Sequence, residues 1–333
     1  MVALAPLACK RGDSSAGAGA EAGGAKGAGK VLRIAVIPKG TTHEFWKAVH
    51  AGAVKAGKEA SVEIIWKGPL KEDDLKSQVD LVQSFTAQGV SGIVLAPLND
   101  SALAAPVRTA VKSAVPVVIF DSDLKGSDHA SFVATDNRAA GRLAGEKLGA
   151  LLSGKGNVVL LRYQEGSAST HHREEGFLEA IRKFPEIKLA SENQYGGATT
   201  ESAFSASENL LLAQNAGKGQ LHGVFCPNES TTFGMLLALE KAGLAGKLRF
   251  IGFDSSAKLV DGVRGGKIDG LVLQNPFNMG YLAVKTLVRH LRHEPIENRI
   301  DTGAALIEKA NMDQPDMKAL LSPPLGEWLG TAQ

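Results

Sequence analysis

No segment of this chain has the ~18 consecutive apolar residues that a membrane-spanning helix needs. Aromatic residues are scarce, at 5%, and glycine is frequent, at 38 of 333 residues. That mixture suits short strand–turn–helix units better than a β-sandwich. Charge of one sign is also missing. The formal net charge is only +2, and Lys10, Arg11, Lys26 and Lys30 against Asp13 and Glu21 account for it. The rest of the chain has no basic face of the kind that reads nucleic acid. Cysteine is nearly absent, with only Cys9 and Cys226. Cys226 ends the apolar run Leu221 to Phe225 and reads as a buried free thiol. What is present is 44% hydrophobic and 22% charged residues, which excludes a disordered or fibrous chain, and a length that suggests two domains.

The N-terminal 30 residues stand apart. Cys9 follows the apolar run Met1 to Ala8 and precedes Lys10-Arg11, so it resembles the lipidated cysteine at the end of a bacterial lipoprotein signal. Gly and Ala make up 12 of the 15 residues from Ala16 to Lys30, the composition of a flexible tether. Gly24 to Lys30 matches G-x-x-x-x-G-K, but Val31 follows where a phosphate-binding loop needs Ser or Thr. The loop also precedes a strand instead of following one.

From Val31 the period alternates. Strands are predicted over 31–38, 62–66, 92–96, 115–120, 132–134, 157–161, 187–191, 222–226, 248–252 and 270–274. Helices are predicted over 43–60, 72–88, 101–113, 138–152, 169–184, 201–215, 231–242, 256–265 and 279–292. Repeated βαβ units with nearly continuous apolar strands imply parallel sheets covered on both faces. So many strands fit two doubly wound sheets better than one, with ligands beyond the carboxyl ends of the strands.

The residues after those strands are therefore informative. They include His43, Phe45 and Trp46; Asp121; Arg173; Asn228; Asp254; and Gln274. Each polar one alone reads as a helix cap or turn. Recurring at successive strand ends, they form an inventory of aromatic faces, carboxylates, amides and one arginine, short of nucleophile–base pairs. Aromatic faces stack on C–H patches, and these polar groups bond adjacent hydroxyls, so the set suits a small polyhydroxylated molecule that is held but not transformed.

The segments His43-Glu-Phe-Trp46, Val117-Val-Ile-Phe-Asp121, Thr135 to Gly145, Arg173-Glu-Glu-Gly-Phe177, Val224 to Asn228, Ile251-Gly-Phe-Asp254 and Leu273-Gln274 follow one another in the order and spacing of a family. Over residues 31–312 the chain resembles the periplasmic sugar-binding proteins of the ribose-binding type. The resemblance implies an α/β fold of two doubly wound parallel-sheet lobes joined by a three-stranded hinge, with the ligand in the cleft. It implies a signal remnant and tether over 1–30, an N-terminal lobe of 31–135 plus 275–301, and a C-terminal lobe of 136–274 plus 302–333. Crossings are expected near Thr135-Asp136, Gln274-Asn275 and Asp301-Thr302. Phe45 and Trp46 are implied to lie over a sugar ring, with Asp121, Arg173, Asn228, Asp254 and Gln274 bonding its hydroxyls. His43 stands where the ribose binder has asparagine, Ser122 where an arginine follows the aspartate, and Ala198 or Thr199 where a further aromatic is common.

The implied role is a monomeric, non-enzymatic solute-binding component of an ABC importer. It would deliver a small sugar or polyol to a membrane permease outside the cytoplasmic membrane, tethered through lipidated Cys9. A sugar receptor for chemotaxis or a sensor kinase, or a binder of a non-sugar metabolite, is the alternative. No cofactor and no metal is expected: adjacent His171 and His172 point about 100° apart on a helix, and His43-Glu44 lacks the second histidine of H-E-x-x-H. A regulator of the same fold would need a helix-turn-helix before the first strand, where this sequence has only Gly/Ala-rich residues. A nucleotide-dependent dehydrogenase would need G-x-G-x-x-G after it. Acidic site residues outnumber the single arginine, which keeps an amino sugar among the candidate ligands.

Overall fold

The structure, a computed structural model, describes residues 31–330. Cys9 and the Gly/Ala stretch lie outside the described residues. The elements run β1 (Arg33–Ile37), α1 (Glu44–Ala60), β2 (Glu63–Trp66), α2 (Leu75–Ala87), β3 (Gly92–Leu95), α3 (Ala104–Lys112), β4 (Val117–Phe120), β5 (Ser131–Ala134) and α4 (Asn137–Leu151). They continue with β6 (Lys155–Arg162), α5 (Ala168–Ile181), β7 (Glu186–Tyr195), α6 (Thr200–Ala213), β8 (Gly223–Phe225), α7 (Glu229–Lys241), β9 (Arg249–Phe253), α8 (Ala257–Arg264), β10 (Gly270–Leu273) and α9 (Pro276–Leu291). Last come β11 (Arg299–Asp301), β12 (Ala305–Ile307), α10 (Pro315–Leu321) and α11 (Leu325–Leu329).

Short apolar runs form the central strands because both of their faces are covered. Ile34 and Val36 enter one core while Ala35 and Ile37 enter the core on the opposite face of the same sheet. Val159 and Leu161 divide from Val158 and Leu160 in the same way on a second sheet. The two six-stranded sheets have the orders β11-β5-β4-β3-β1-β2 and β12-β10-β9-β8-β6-β7. These are one order written twice, so β1 corresponds to β6, β4 to β9 and β5 to β10. All pairings are parallel except β10 with β12.

The chain passes between the sheets between β5 and α4, between β10 and α9, and between β11 and β12. The helix after each of the first two crossings packs in the opposite lobe: α9 supplies Met279, Ala283 and Val284 to the first core, and α4 supplies Ala140, Ala144 and Leu148 to the second. Thr135 Oγ1 donates to the Gly303 carbonyl at 3.1 Å, and the Asp136 amide donates to Asp301 Oδ1 at 3.0 Å, tying two crossings together.

β11, β12, α10 and α11 are additional to the predicted elements, and α2 begins at Leu75, not at 72, so that Glu72 lies in the loop before it. Two further features depart from the sequence expectation. β7 extends to Tyr195, beyond the predicted 191, because an edge strand tolerates the polar run Glu192–Gln194. Second, the final segment does not stay with the second lobe as the 302–333 boundary anticipates. Met317, Leu320 and Leu321 pack on the second lobe's core, but Trp328 of α11 lies against α1 of the first, with Lys55 Nζ 5.4 Å and Lys58 Nζ 5.2 Å from its ring. A large indole at the edge of two lysines buries more surface there than in solvent.

Candidate functional site

All eight residues predicted at the strand ends line one cavity between the lobes: His43, Phe45, Trp46, Asp121, Arg173, Asn228, Asp254 and Gln274. Lys39, Glu72, Tyr163, Ser169, Thr170 and Glu229 complete its wall. The free space there is about 30 Å³, room for a water or two, so the lobes stand closed on one another. Two larger cavities adjoin it, one of about 630 Å³ that shares Phe45, Asp254 and Gln274 and one of about 620 Å³ that shares His43, Glu72 and Glu229.

Two aspartates are held by the same device at corresponding places. Asp121 after β4 has φ 61° and Asp254 after β9 has φ 64°. Each amide donates to the neighbouring strand, to the Val133 carbonyl at 3.0 Å and the Val272 carbonyl at 2.9 Å. The left-handed turn, tolerated by Asp better than by most residues, sends the carboxylate into the cleft.

Glu72 is the hub of the first lobe's wall. It accepts from Trp46 Nε1 at 2.6 Å and from Tyr163 OH at 2.5 Å, and it pairs with His43 Nδ1 at 2.7 Å. Burial alone would lower the His43 pKa, but the hydrogen bond and charge of Glu72 outweigh it and raise it to about 9. Burial pushes Glu72 upward, and His43 more than offsets this, leaving it at about 2. Burial, with Asp254 nearby, raises Glu229 to about 7.

Arg173 is 2% exposed and its guanidinium lies 4.0 Å from the Phe253 ring centroid. Nε donates to Asn137 Oδ1 at 2.7 Å and Nη1 to the Pro227 carbonyl at 3.0 Å, with Asp254 at 3.9 Å. Gln274 donates through Nε2 to Asp254 Oδ1 at 2.8 Å. Buried Arg173 Nη2 and Gln274 Oε1 have no hydrogen-bond partner among the described residues. One is a donor and one an acceptor, and a hydroxyl can answer either.

Phe45 meets Trp46 edge-on, with centroids 4.8 Å apart, and Trp46 meets Phe120 edge-on at 6.2 Å. Trp46 is therefore core and wall together, 3% exposed. Asn228 realises the cap reading: its Oδ1 accepts from Thr231 Oγ1 at 2.6 Å and from the Thr231 amide at 3.4 Å, while Nδ2 donates to Ser230.

Lys39, two residues past β1, is a further wall residue that is not among the predicted set. Its Nζ reaches Asp121 Oδ2 at 3.3 Å and donates to Ser167 Oγ and Ser169 Oγ at 3.1 Å each. A lysine from the loop after β1 thus puts a cation beside Asp121, where Ser122 supplies none. With Lys39 and His43 added on one side and Glu72 and Glu229 on the other, the wall carries four carboxylates against three cations, so a single acid remains in excess. Tyr163 follows its strand directly and was readable. Glu72, in an irregular loop, gave no signal. Cys226 is fully buried, and burial raises its thiol pKa well above the usual range.

Two lobes of one topology closed on a polar, aromatic-walled cleft define a two-lobe binding protein. The chain belongs to the periplasmic binding protein domain family, whose profile matches residues 34–295. It is 26% identical over 276 residues to the ribose import binding protein of Haemophilus influenzae, spanning 83% of this chain and 91% of that one. It is 28% identical over 266 residues to the D-allose-binding periplasmic protein of Escherichia coli, spanning 76% and 83%. Among solved structures it is similar to the periplasmic component of an ABC-type sugar transport system from Hahella chejuensis. That match has TM-score 0.80 and 36% identity over 83% of this chain and 99% of that one. A carbohydrate transporter solute-binding protein from Agrobacterium radiobacter, in complex with D-arabinose, matches with TM-score 0.84 and 33% identity over 88% and 99%.

Proposed function

We propose that this protein captures a small sugar or polyol between its lobes and delivers it to the permease of an ABC importer. The observation that carries this is the pair of unpartnered buried atoms, Arg173 Nη2 and Gln274 Oε1, in a cleft walled by Phe45, Trp46, Asp121 and Asp254. Leaving both unbonded is costly, and ligand hydroxyls would satisfy them. His43, Asn228 and Asp254 complete the proposed ligand-binding set. In this reading the site holds its ligand without transforming it, its carboxylates being engaged with cations, side-chain N–H and O–H groups or backbone N–H groups. A working place outside the cytoplasmic membrane, anchoring through Cys9 and action as a monomer belong to this reading. A receptor reporting to a chemotaxis or sensor partner would use the same cleft.

The test is a thermal-shift screen of the refolded protein against pentoses, hexoses, amino sugars and polyols. Ligand at 100 times its Kd adds about 2.7 kcal/mol, a shift of several degrees. One responding class supports the reading and names the ligand chemistry. A well-folded protein with no response to any of them overturns it.

A further inference from the structure

Each lobe begins with a strand followed by a helix, β1–α1 and β6–α5; like α3, α10 and α11 these two helices lack a side-chain cap of their own, but they share a bond from the opposite lobe. Of the other helices, α2, α4, α6, α7, α8 and α9 are capped by the side chain of their own N-cap residue. His43 and Ser167, the N-cap residues of α1 and α5, make no such bond. The N–H of the second helical residue, which a local cap ordinarily satisfies, goes instead to the opposite lobe. The Phe45 amide donates to Glu229 Oε2 at 3.3 Å, with the Glu44 amide 3.5 Å from Oε1. The Ser169 amide donates to Ser122 Oγ at 3.1 Å. Glu229 follows β8 in the second lobe and Ser122 follows β4 in the first. The exchange is reciprocal, at the same position of two corresponding helices.

We infer that Ser122 and Glu229 are positioning residues that latch the cleft, each capping in trans the first helix of the other lobe. In an open cleft these amides would face water; in the closed one they are bonded only because both lobes are in place. The two caps therefore form and break together with closure, although they touch different helices. Ser122 has a second consequence. A hydroxyl there fits against the α5 N-terminus, while the cation beside Asp121 comes from Lys39 in the loop after β1. The inference rests on the cleft closing, as the proposed function requires, but its test needs no sugar.

Amide hydrogen exchange of the purified full chain, resolved by NMR, reads both caps. Ser122→Ala is expected to speed exchange at its own partner, the Ser169 amide, and also at the Phe45 amide, which it does not touch. Glu229→Ala is expected to do the reverse, and Ser122→Thr and Glu229→Gln, which keep an oxygen acceptor, restore most of the protection. An N-cap of ordinary strength corresponds to about a fivefold rise at the distant amide. A change confined to each variant's own partner amide, or no change at either, overturns the latch. The absence of any sugar response overturns the functional reading alone.

Discussion

At the residue scale, most polar groups of the cleft are met by neighbours in their own lobe, a few by the opposite lobe, and some are left over. Arg173 shows the energetic logic. Three of its contacts come from protein atoms and one donor is left over. Arg173→Gln should weaken ligand binding by one to two orders of magnitude, the worth of a charge-assisted hydrogen bond, in a calorimetric titration. A smaller loss would mean that Nη2 is satisfied by something other than ligand. Trp46→Ala should cost about 1–3 kcal/mol of binding if its face meets the ring. Unchanged affinity would assign Trp46 to the core alone. His43 and Glu72 give a pH dependence whose sign follows from their shifts. His43 sits at about 9 against an ordinary 6.5, so its contribution is full below 6.5 and fades as pH rises through 9. Glu72 sits at about 2 against 4.5, so its share is full above 4.5 and is lost as pH falls through 2. The stability gap between wild type and His43→Gln should be largest between these limits, near pH 5.5, and shrink toward pH 9.5. A gap that stays flat in melting experiments would show that the pair adds nothing beyond packing.

At the element scale, close helix contacts place the site residues. Gly141 of α4 abuts α5, where a Cβ would lie 2.0 Å from the Arg173 carbonyl oxygen, and Gly176 of α5 faces the Arg138 carbonyl in return at 2.0 Å. The same arrangement recurs in the other lobe between α1 and α9, where Gly52 meets the Phe277 carbonyl at 1.9 Å and Gly280 that of Val49 at 2.1 Å. Gly141→Ala should force α5 outward and carry Arg173 with it. The expected cost is about 1–3 kcal/mol of stability together with a loss of ligand affinity. Gly217→Ala, with nothing within 4 Å of the added Cβ, serves as the control. Equal melting temperatures and affinities for the two variants would remove the packing account of how Arg173 is held.

At the scale of the whole molecule, closure is what turns two half-sites into one. Glu72 and Lys39 in the first lobe bond Tyr163, Ser167 and Ser169 in the second, and the space left is about 30 Å³. A ring-sized solute enters only when the lobes part about their crossings. The terminal segment runs from the second lobe's core to α1, where Trp328 meets Lys55 and Lys58. Opening must strain that contact. Trp328→Ala should therefore speed ligand release about two- to fivefold and increase the radius of gyration of the ligand-free protein. If neither changes, the segment travels with one lobe and does not restrain opening.

The local pattern already determined much of this. Apolar runs with both faces buried read as parallel strands, and polar or aromatic residues after them marked the cleft, because in this architecture strand ends and ligand sites coincide. All eight residues chosen that way meet in one place. The short strands β11 and β12, three residues each, carried too few positions for a period to show. Glu72 lies in a loop, where its value comes only from being brought against His43, Trp46 and Tyr163. The trans caps of α1 and α5 were likewise invisible, since their partners are distant in sequence. Sequence by itself determined most of the elements and which strand-end residues line the cleft, because those depend on local periodicity and burial. Only the tertiary structure decided which charges pair, which helix ends are capped from across the cleft and how little space remains, because those depend on distances between segments far apart in the chain.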